Sequence, residues 1–393
     1  MENSDNKPIL LHDATVILPD GVGSRSLLIE DGLIARISPA PITHVSANKV
    51  NVDGLTLLPG FIDIHIHGAK GVDTMNADGE DLHHVSEFLA QQGVTAWLPT
   101  LVPGSDNENA RAIKAIDDLM VQQERGPALA RAIGVHYEGP FVNPDQCGAL
   151  RKQFFRTYKG ESDLTSMPVP QSEGALLITT LAPEVQGGIE LIRDLRKRGW
   201  IVSIGHTKAG IEVLERAREA GACHMTHFLN AMPSLHHRSP GPVGWALMRD
   251  DITLDIIADG VHVDPLVLQL VMRCKGVQRV ALISDAIAAT GLGDGEYRLW
   301  GETITVDEGR TRNERGSIAG SVISLHDAMQ LVRLFGVADA DLAGLTSTNA
   351  ARLLGIDASY GSIAEGKRAD IVGIDDSGRV RLTIIGGRIA FQQ

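Results

Sequence analysis

The chain has 393 residues, with 36 Lys+Arg against 49 Asp+Glu for a formal charge of −13, and 43% apolar residues against 22% charged. This composition excludes a dominantly disordered chain, and the acidic balance excludes nucleic acid and anionic membranes as non-specific partners, because both require a cationic footprint. No apolar run approaches the ~20 residues of a membrane span, and Met1-Glu2-Asn3-Ser4-Asp5 opens without the features of a secretion signal, so the expectation is a cytoplasmic protein with a sizeable core.

Short strands open the chain at Ala14 to Leu18, Ser26 to Ile29 and Leu33 to Ile37, separated by Pro19-Asp20-Gly21 and Glu30-Asp31-Gly32 turns. The other end has the same texture: Ala369 to Ile374, a turn at Asp376-Ser377-Gly378, Val380 to Ile385 and Arg388 to Phe391. Neither end has enough strands for a core of its own, so the two are expected to pair into one small β-sandwich domain, residues 1–58 plus 359–393.

Between them, over residues 59–358, apolar strands alternate with amphipathic helices. Eight strands are expected: Phe61 to His67, Thr95 to Leu101, Ala132 to Glu138, Leu176 to Ala182, Trp200 to His206, Cys223 to Leu229, Thr253 to Asp259 and Val280 to Asp285. Helices are expected at Asp81 to Gln92, Asn107 to Gln123, Gly187 to Arg198, Ile211 to Ala220 and Pro265 to Lys275, with two more at Ser321 to Phe335 and Asp339 to Leu354. Strand then helix, repeated eight times, is the signature of a parallel (β/α)8 barrel of the TIM type in the α/β class. An open doubly wound sheet is the alternative, but no G-x-G-x-x-G follows the first strand.

In such a barrel the chemistry lies at the C-terminal ends of the strands. The polar residues there are His65 and His67, Glu138, His206, His227, Asp259 with nearby His262, and Asp285. Asp63, His65 and His67 recur every second residue and share one strand face, so two imidazoles can reach one ion. Nitrogen and carboxylate donors suit Zn²⁺, with Fe²⁺, Co²⁺ or Mn²⁺ as alternatives, and one or two ions are expected. His12, His44, His83, His84 and His326 fall on helices and termini and read as surface or packing residues, while His136 is either packing or support for Glu138. Cys147, Cys223 and Cys274 form no C-x-x-C and read as reduced, unliganded thiols. A metal with an open position activates water and polarises a carbonyl, and Asp285 would move the proton, which describes C–N bond hydrolysis without a covalent intermediate. The alternative for Asp285 is a helix N-cap.

Pro59-Gly60-Phe61-Ile62-Asp63-Ile64-His65-Ile66-His67-Gly68 resembles the opening of an amidohydrolase-superfamily barrel. The segment His136-Tyr137-Glu138-Gly139-Pro140-Phe141 is similar to that of the family of N-acetylglucosamine-6-phosphate deacetylases within it, as are Gly205-His206-Thr207, His227 to Met232, Arg238-Ser239-Pro240-Gly241, Asp259-Gly260-Val261-His262 and Ser284-Asp285-Ala286. The resemblance covers nearly the whole chain. It implies Glu138, His206 and His227 as ligands of the main metal, His65 and His67 as ligands of a second, and Asp285 as the catalytic acid and base. It also implies substrate contacts from Ala149, Asn230, Ala231, Asp259 and His262, with Ile318, Ala319 and Gly320 lining the pocket. Arg238 matches the residue that grips the sugar phosphate, in this family across a homodimer interface.

The implied reaction turns N-acetylglucosamine 6-phosphate into glucosamine 6-phosphate and acetate. Rival expectations are an amidohydrolase acting on another N-acyl amino sugar (N-acetylgalactosamine 6-phosphate or an unphosphorylated N-acetylhexosamine) or on a cyclic amide, and a non-catalytic barrel serving as a scaffold. One segment departs from the family pattern: where a histidine is usual, Gln146-Cys147-Gly148-Ala149-Leu150-Arg151 presents Leu150, which forms no side-chain hydrogen bond. Arg151 or the second metal would then take over its role, or the substrate differs.

Overall fold

The computed structural model describes residues 7–393, so Met1 to Asn6, including the Met1 to Asp5 opening read above, lie outside it. Eight parallel strands run in order around the barrel: Phe61–Ile66, Val94–Leu101, Gly134–Glu138, Leu176–Leu181, Ile201–Ile204, His224–Met225, Thr253–Ile257 and Val280–Ile283. Each stands where the sequence expects a strand. His136 stands opposite Thr100, Glu138 opposite Thr180, Ser203 opposite His224 and Ile257 opposite Ile283, while the register between the first two strands shifts after Phe61 and again between Asp63 and Ile66. Just beyond the last strand, Asp285 N–H donates to His65 O at 2.9 Å and His67 N–H donates to Ala286 O at 2.8 Å, joining the end of the barrel to its beginning.

Side-chain alternation divides each strand between two environments. Ile178, Ile257 and Ile283 sit two residues before Thr180, Asp259 and Asp285 and pack in one buried cluster with Ile64 and Leu98. Thus apolar layers support the polar strand ends. Residues of opposite parity, such as Trp97, Tyr137 and Val202, join a larger core with the apolar stripes of the surrounding helices, including Leu82, Val85 and Leu89 from Gly79–Gln91. Burying a Leu- or Val-sized side chain contributes about 1.5–3 kcal/mol, so this ring of helix contacts is the main stabilising layer.

Both chain ends meet in one eight-stranded sheet. Ile371–Ile374 pairs antiparallel with Thr56–Pro59, placing Ile371 opposite Pro59, and Thr56–Pro59 continues through Ile9–Leu18 to Gly21–Glu30 and Leu33–Ser38. Leu11, Val16, Leu27, Leu57, Ile371, Leu382 and Ile384 form its separate buried core.

Between the third and fourth strands, where no helix is expected, Pro140, Pro144, Pro168 and Pro170 interrupt the segment, which folds as loops with short 3-10 turns at Pro144–Gln146, Lys152–Phe154 and Glu161–Ser166. Other local expectations change. The helix expected from Ser321 begins at Leu325, because Ser324 accepts the Asp327 N–H while Asp327 reaches back to the Ser324 N–H. Asp339 to Leu354 is not one helix but Asp339–Ala343, a π-turn at Gly344–Thr348 and Asn349–Leu354. Elements that went unread in the sequence include the short helix Gly241–Leu247, the hairpin Gly68–Ala69 with Val72–Asp73, and a three-stranded antiparallel sheet, Gly295–Leu299, Glu302–Asp307 and Arg310–Asn313, inserted after the last barrel strand.

Candidate metal centre and active site

Glu138, at the end of the third strand, is the hub of a buried cluster. Its Oε1 lies 2.8 Å from His206 Nε2 and 3.0 Å from His227 Nε2, and those two nitrogens are 3.0 Å apart. Its Oε2 lies 3.3 Å from His67 Nε2, which is 3.3 Å from His65 Nε2. Two groups of three donors result, Glu138 with His206 and His227, and Glu138 with His65 and His67. Nitrogens and oxygens about 3 Å apart match donors that surround one ion with bonds of ~2.0–2.2 Å, so the residues present fit a metal in either group. Asp285 completes the set, with Oδ1 3.2 Å from His67 Nε2 and 3.5 Å from His65 Nε2.

Ring orientation is set from behind. His206 Nδ1 faces Gln146 O at 2.8 Å and so carries the proton, leaving Nε2 free toward Glu138. Gly205 lets the strand end lie close to its neighbours, since a Cβ there would come within 2.6 Å of Thr180 Cγ2. His206, His227 and Asp285 all have positive φ, 47°, 30° and 49°. Non-glycine residues rarely adopt this left-handed conformation, and here it turns three strand-end side chains toward the barrel axis. Gly320 meets the same constraint, because a Cβ would lie 2.8 Å from Asp285 O.

The electrostatics follow from crowding acids and imidazoles in a buried space. Burial pushes Glu138 up, but hydrogen bonds to His206, His227, His65 and His67 outweigh it and hold the carboxyl well below its usual range. Asp285 is also held low, as His67 and His65 overcome its burial. Burial alone pushes Asp63 up to about 6 against its hydrogen bonds. His136 is pushed down to about 3 by burial and by neighbouring His65; its Nδ1 donates to Ile64 O and its Nε2 accepts from Thr180, so it is a neutral, fully bonded ring packed beside His65.

A cavity of about 230 Å³ opens over the cluster, lined by His67, Glu138, His206, His227 and Asp285 and, further out, by Ala149, Asn230, Ala231, His262, Ile318 and Gly320. Asp259 lies behind His262, its Oδ2 2.6 Å from His262 Nδ1, and Ala319 is fully buried beside the lining. Arg238 is not brought to the cavity. It sits on an exposed loop, with Nη1 2.7 Å from His237 Nε2.

Leu150 lines the cavity, but Arg151 does not stand in for the missing histidine. Its Nε donates to Pro103 O at 2.9 Å and its Nη1 to Glu108 Oε1 at 2.8 Å, clamping the loop that carries Ala149 and Leu150 to the helix Asp106–Gln122. Burial pushes Glu108 up, but Arg151 and Ser105 outweigh it and bring the carboxyl down to about 2 from an ordinary 4.5. Its stabilising contribution is therefore complete above pH 4.5 and is lost as the pH falls toward 2. Urea unfolding across this window is expected to cost wild type about 1 kcal/mol more than Arg151→Met, after allowance for solvent screening of the partly exposed pair. Equal losses in the two proteins would contradict the clamp.

Trp300, which sequence reading passed over, also lines the cavity, with its ring 5.3 Å from that of His67. It occupies the turn between Gly295–Leu299 and Glu302–Asp307. The apolar alternation of Tyr297 with Leu299 and of Ile304 with Val306, around Gly301, was the available signal.

The model of the amidohydrolase family matches residues 56–390. The chain belongs to the amidohydrolase family. This amidohydrolase is 37% identical over 387 residues to an N-acetylglucosamine-6-phosphate deacetylase of Bacillus subtilis, covering 98% of this chain and 97% of that one. It is 36% identical over 365 residues to an N-acetylgalactosamine-6-phosphate deacetylase of Escherichia coli O157:H7, covering 93% and 94%. The crystal structure of an N-acetylglucosamine-6-phosphate deacetylase from Thermotoga maritima superposes with a TM-score of 0.87 at 32% identity, covering 98% of this chain and all of that one.

Proposed function

We propose that this amidohydrolase removes the acetyl group of N-acetylglucosamine 6-phosphate, giving glucosamine 6-phosphate and acetate. The observation that carries the reading is the position of Asp285, a buried carboxylate held ionised beside two groups of metal-type donors at the floor of the cavity. Full-length similarity to deacetylases supports the choice of an acetamido substrate.

A divalent ion, in our reading Zn²⁺ held by Glu138, His206 and His227, with a second on His65, His67 and Glu138, supplies Lewis acidity toward the carbonyl and lowers the pKa of water. Asp285 takes a proton from the attacking water and delivers it to the amide nitrogen as the C–N bond breaks, so acetate leaves and the amine is released. His262, braced by Asp259, turns its other ring nitrogen toward the sugar. Asn230 donates to His227 O at 3.2 Å, which leaves its carbonyl oxygen free to accept from a sugar hydroxyl. Ala149, Ala231, Ile318, Ala319 and Gly320 shape the walls.

A −13 chain needs local cations for a phosphate dianion. Arg238 is the candidate, and because it stands away from the cavity of its own chain we assign it to the site of a second copy in a homodimer. Leu235, three residues before it, is exposed, as are Met248 at the end of the helix Gly241–Leu247 and Leu266 and Leu270 on the helix Pro265–Lys275 that packs against it, and these offer apolar surface for such a contact. The division into residues 1–58 plus 359–393 and 59–358 is part of the same proposal, supported by the sheet that joins the two ends. So is a cytoplasmic location, which three free thiols favour. Among the described residues no helix is long and apolar enough to cross a membrane.

The E. coli relative favours a second reading, N-acetylgalactosamine 6-phosphate, at nearly the same identity. An acetate-release assay over gluco and galacto substrates, each phosphorylated and free, combined with elemental analysis, separates the readings. The expected result is highest kcat/KM on N-acetylglucosamine 6-phosphate and metal near two ions per chain. Equal turnover of the free sugar would remove the phosphate role from Arg238, and no acetate from any substrate would overturn the function.

A further inference from the structure

Behind the ligand cluster runs a chain of hydrogen bonds that the reaction does not use. Asp255, fully buried on the strand Thr253–Ile257, accepts at Oδ2 from His224 Nε2 at 2.9 Å and from the Thr226 hydroxyl at 3.1 Å. Its Oδ1 accepts the main-chain N–H of His227. Thr226 Oγ1 in turn lies 3.0 Å from His65 Nδ1.

The direction of these bonds is fixed by the site. His65 turns Nε2 toward His67, Glu138 and Asp285, so as a ligand it must keep its proton on Nδ1 and donate it to Thr226. The Thr226 proton then points to Asp255. One carboxylate thus reaches both groups of donors: His227 through the main chain, and His65 through a threonine hydroxyl. Among the described residues neither His67 nor His227 has a partner at Nδ1, and His206 is held separately by Gln146 O. In the His65, His67 and Glu138 group, the Thr226 bond is therefore the one contact that sets a ring from behind.

We propose that Asp255 and Thr226 are positioning residues that form a strut for the metal centre, with Asp255 serving both halves and Thr226 serving the His65 half selectively. The proposal rests on the metal-dependent reading above. It adds a division of labour that the ligand set alone does not contain.

The test is zinc binding to metal-free protein, followed by calorimetry and by elemental analysis after gel filtration, with thermal unfolding of the metal-free forms as a fold control. Wild type and Thr226→Ser, which keeps the hydroxyl, are expected to hold two ions per chain. Thr226→Val, of the same shape without the donor, is expected to hold one, with wild-type affinity at the site that remains. Asp255→Asn is expected to weaken both sites, by roughly 10- to 100-fold. If Thr226→Val fails to fold, Thr226→Ala replaces it with the same expectation.

Two ions bound normally by the folded variant lacking the hydroxyl, or unchanged affinities in Asp255→Asn, would overturn the strut. A wild type that holds a single ion would do so as well. Acetate release by wild type is read separately, so the deacetylase reading stands or falls on that measurement and the strut on metal counts.

Discussion

Asp285→Asn is expected to lower kcat by roughly 10³-fold while leaving metal content unchanged. The carboxylate is buried, held ionised by His67 and His65, and 3.2 Å from His67 Nε2. Asparagine keeps the size and polarity of the side chain but cannot accept a proton from water and hand it on. A loss confined to KM would instead point to substrate holding, and undiminished turnover would refute the assigned role. Elemental analysis of the same preparation is essential, because a variant that lost metal would be inactive for another reason.

Glu138→Gln is expected to have the second large effect, through loading rather than proton transfer. Glu138 is the one residue common to both donor groups, with Oε1 turned to His206 and His227 and Oε2 turned to His67. The amide keeps one weaker oxygen donor and places an N–H where the second stood. Both ions should be lost on gel filtration, and acetate release should fall to background. The metal-free protein should also be destabilised, by about 3 kcal/mol, because four buried imidazoles lose the carboxylate that compensates them. Urea unfolding without metal checks this part, and retention of two ions would show that the carboxylate is not shared.

Much of this architecture was legible because barrel strands carry local signals. Apolar runs such as Trp200 to His206 and Val280 to Asp285 end on polar residues, and the order of those ends around a barrel follows from chain order alone. The pairing of His65 with His67 was legible for the same reason, since strand periodicity places them on one face. Trp300 was missed because a short antiparallel insertion has no place in the barrel repeat, and the turn that aims its ring is a tertiary matter. The retreat of Arg151 from the cavity was equally invisible: nothing in the spacing of Glu108 and Arg151 indicates that a loop will be clamped to the start of a helix 43 residues earlier. Nor does sequence report a left-handed backbone at His206, His227 and Asp285, where glycine would be the ordinary choice.

The seam of the barrel gives the site a place in the history of the chain. Asp285 N–H meets His65 O, and His67 N–H meets Ala286 O, so the residues that close the cylinder include those expected to carry out catalysis. During synthesis the first strand emerges long before its partner across the seam. Until residue 286 has left the ribosome, His65 and His67 have neither their neighbouring main chain nor the carboxylate that faces them. A chain that ends before residue 285 lacks the carboxylate to which we assign the proton transfer, so on that proposal hydrolytic competence arrives only with the end of the last barrel strand.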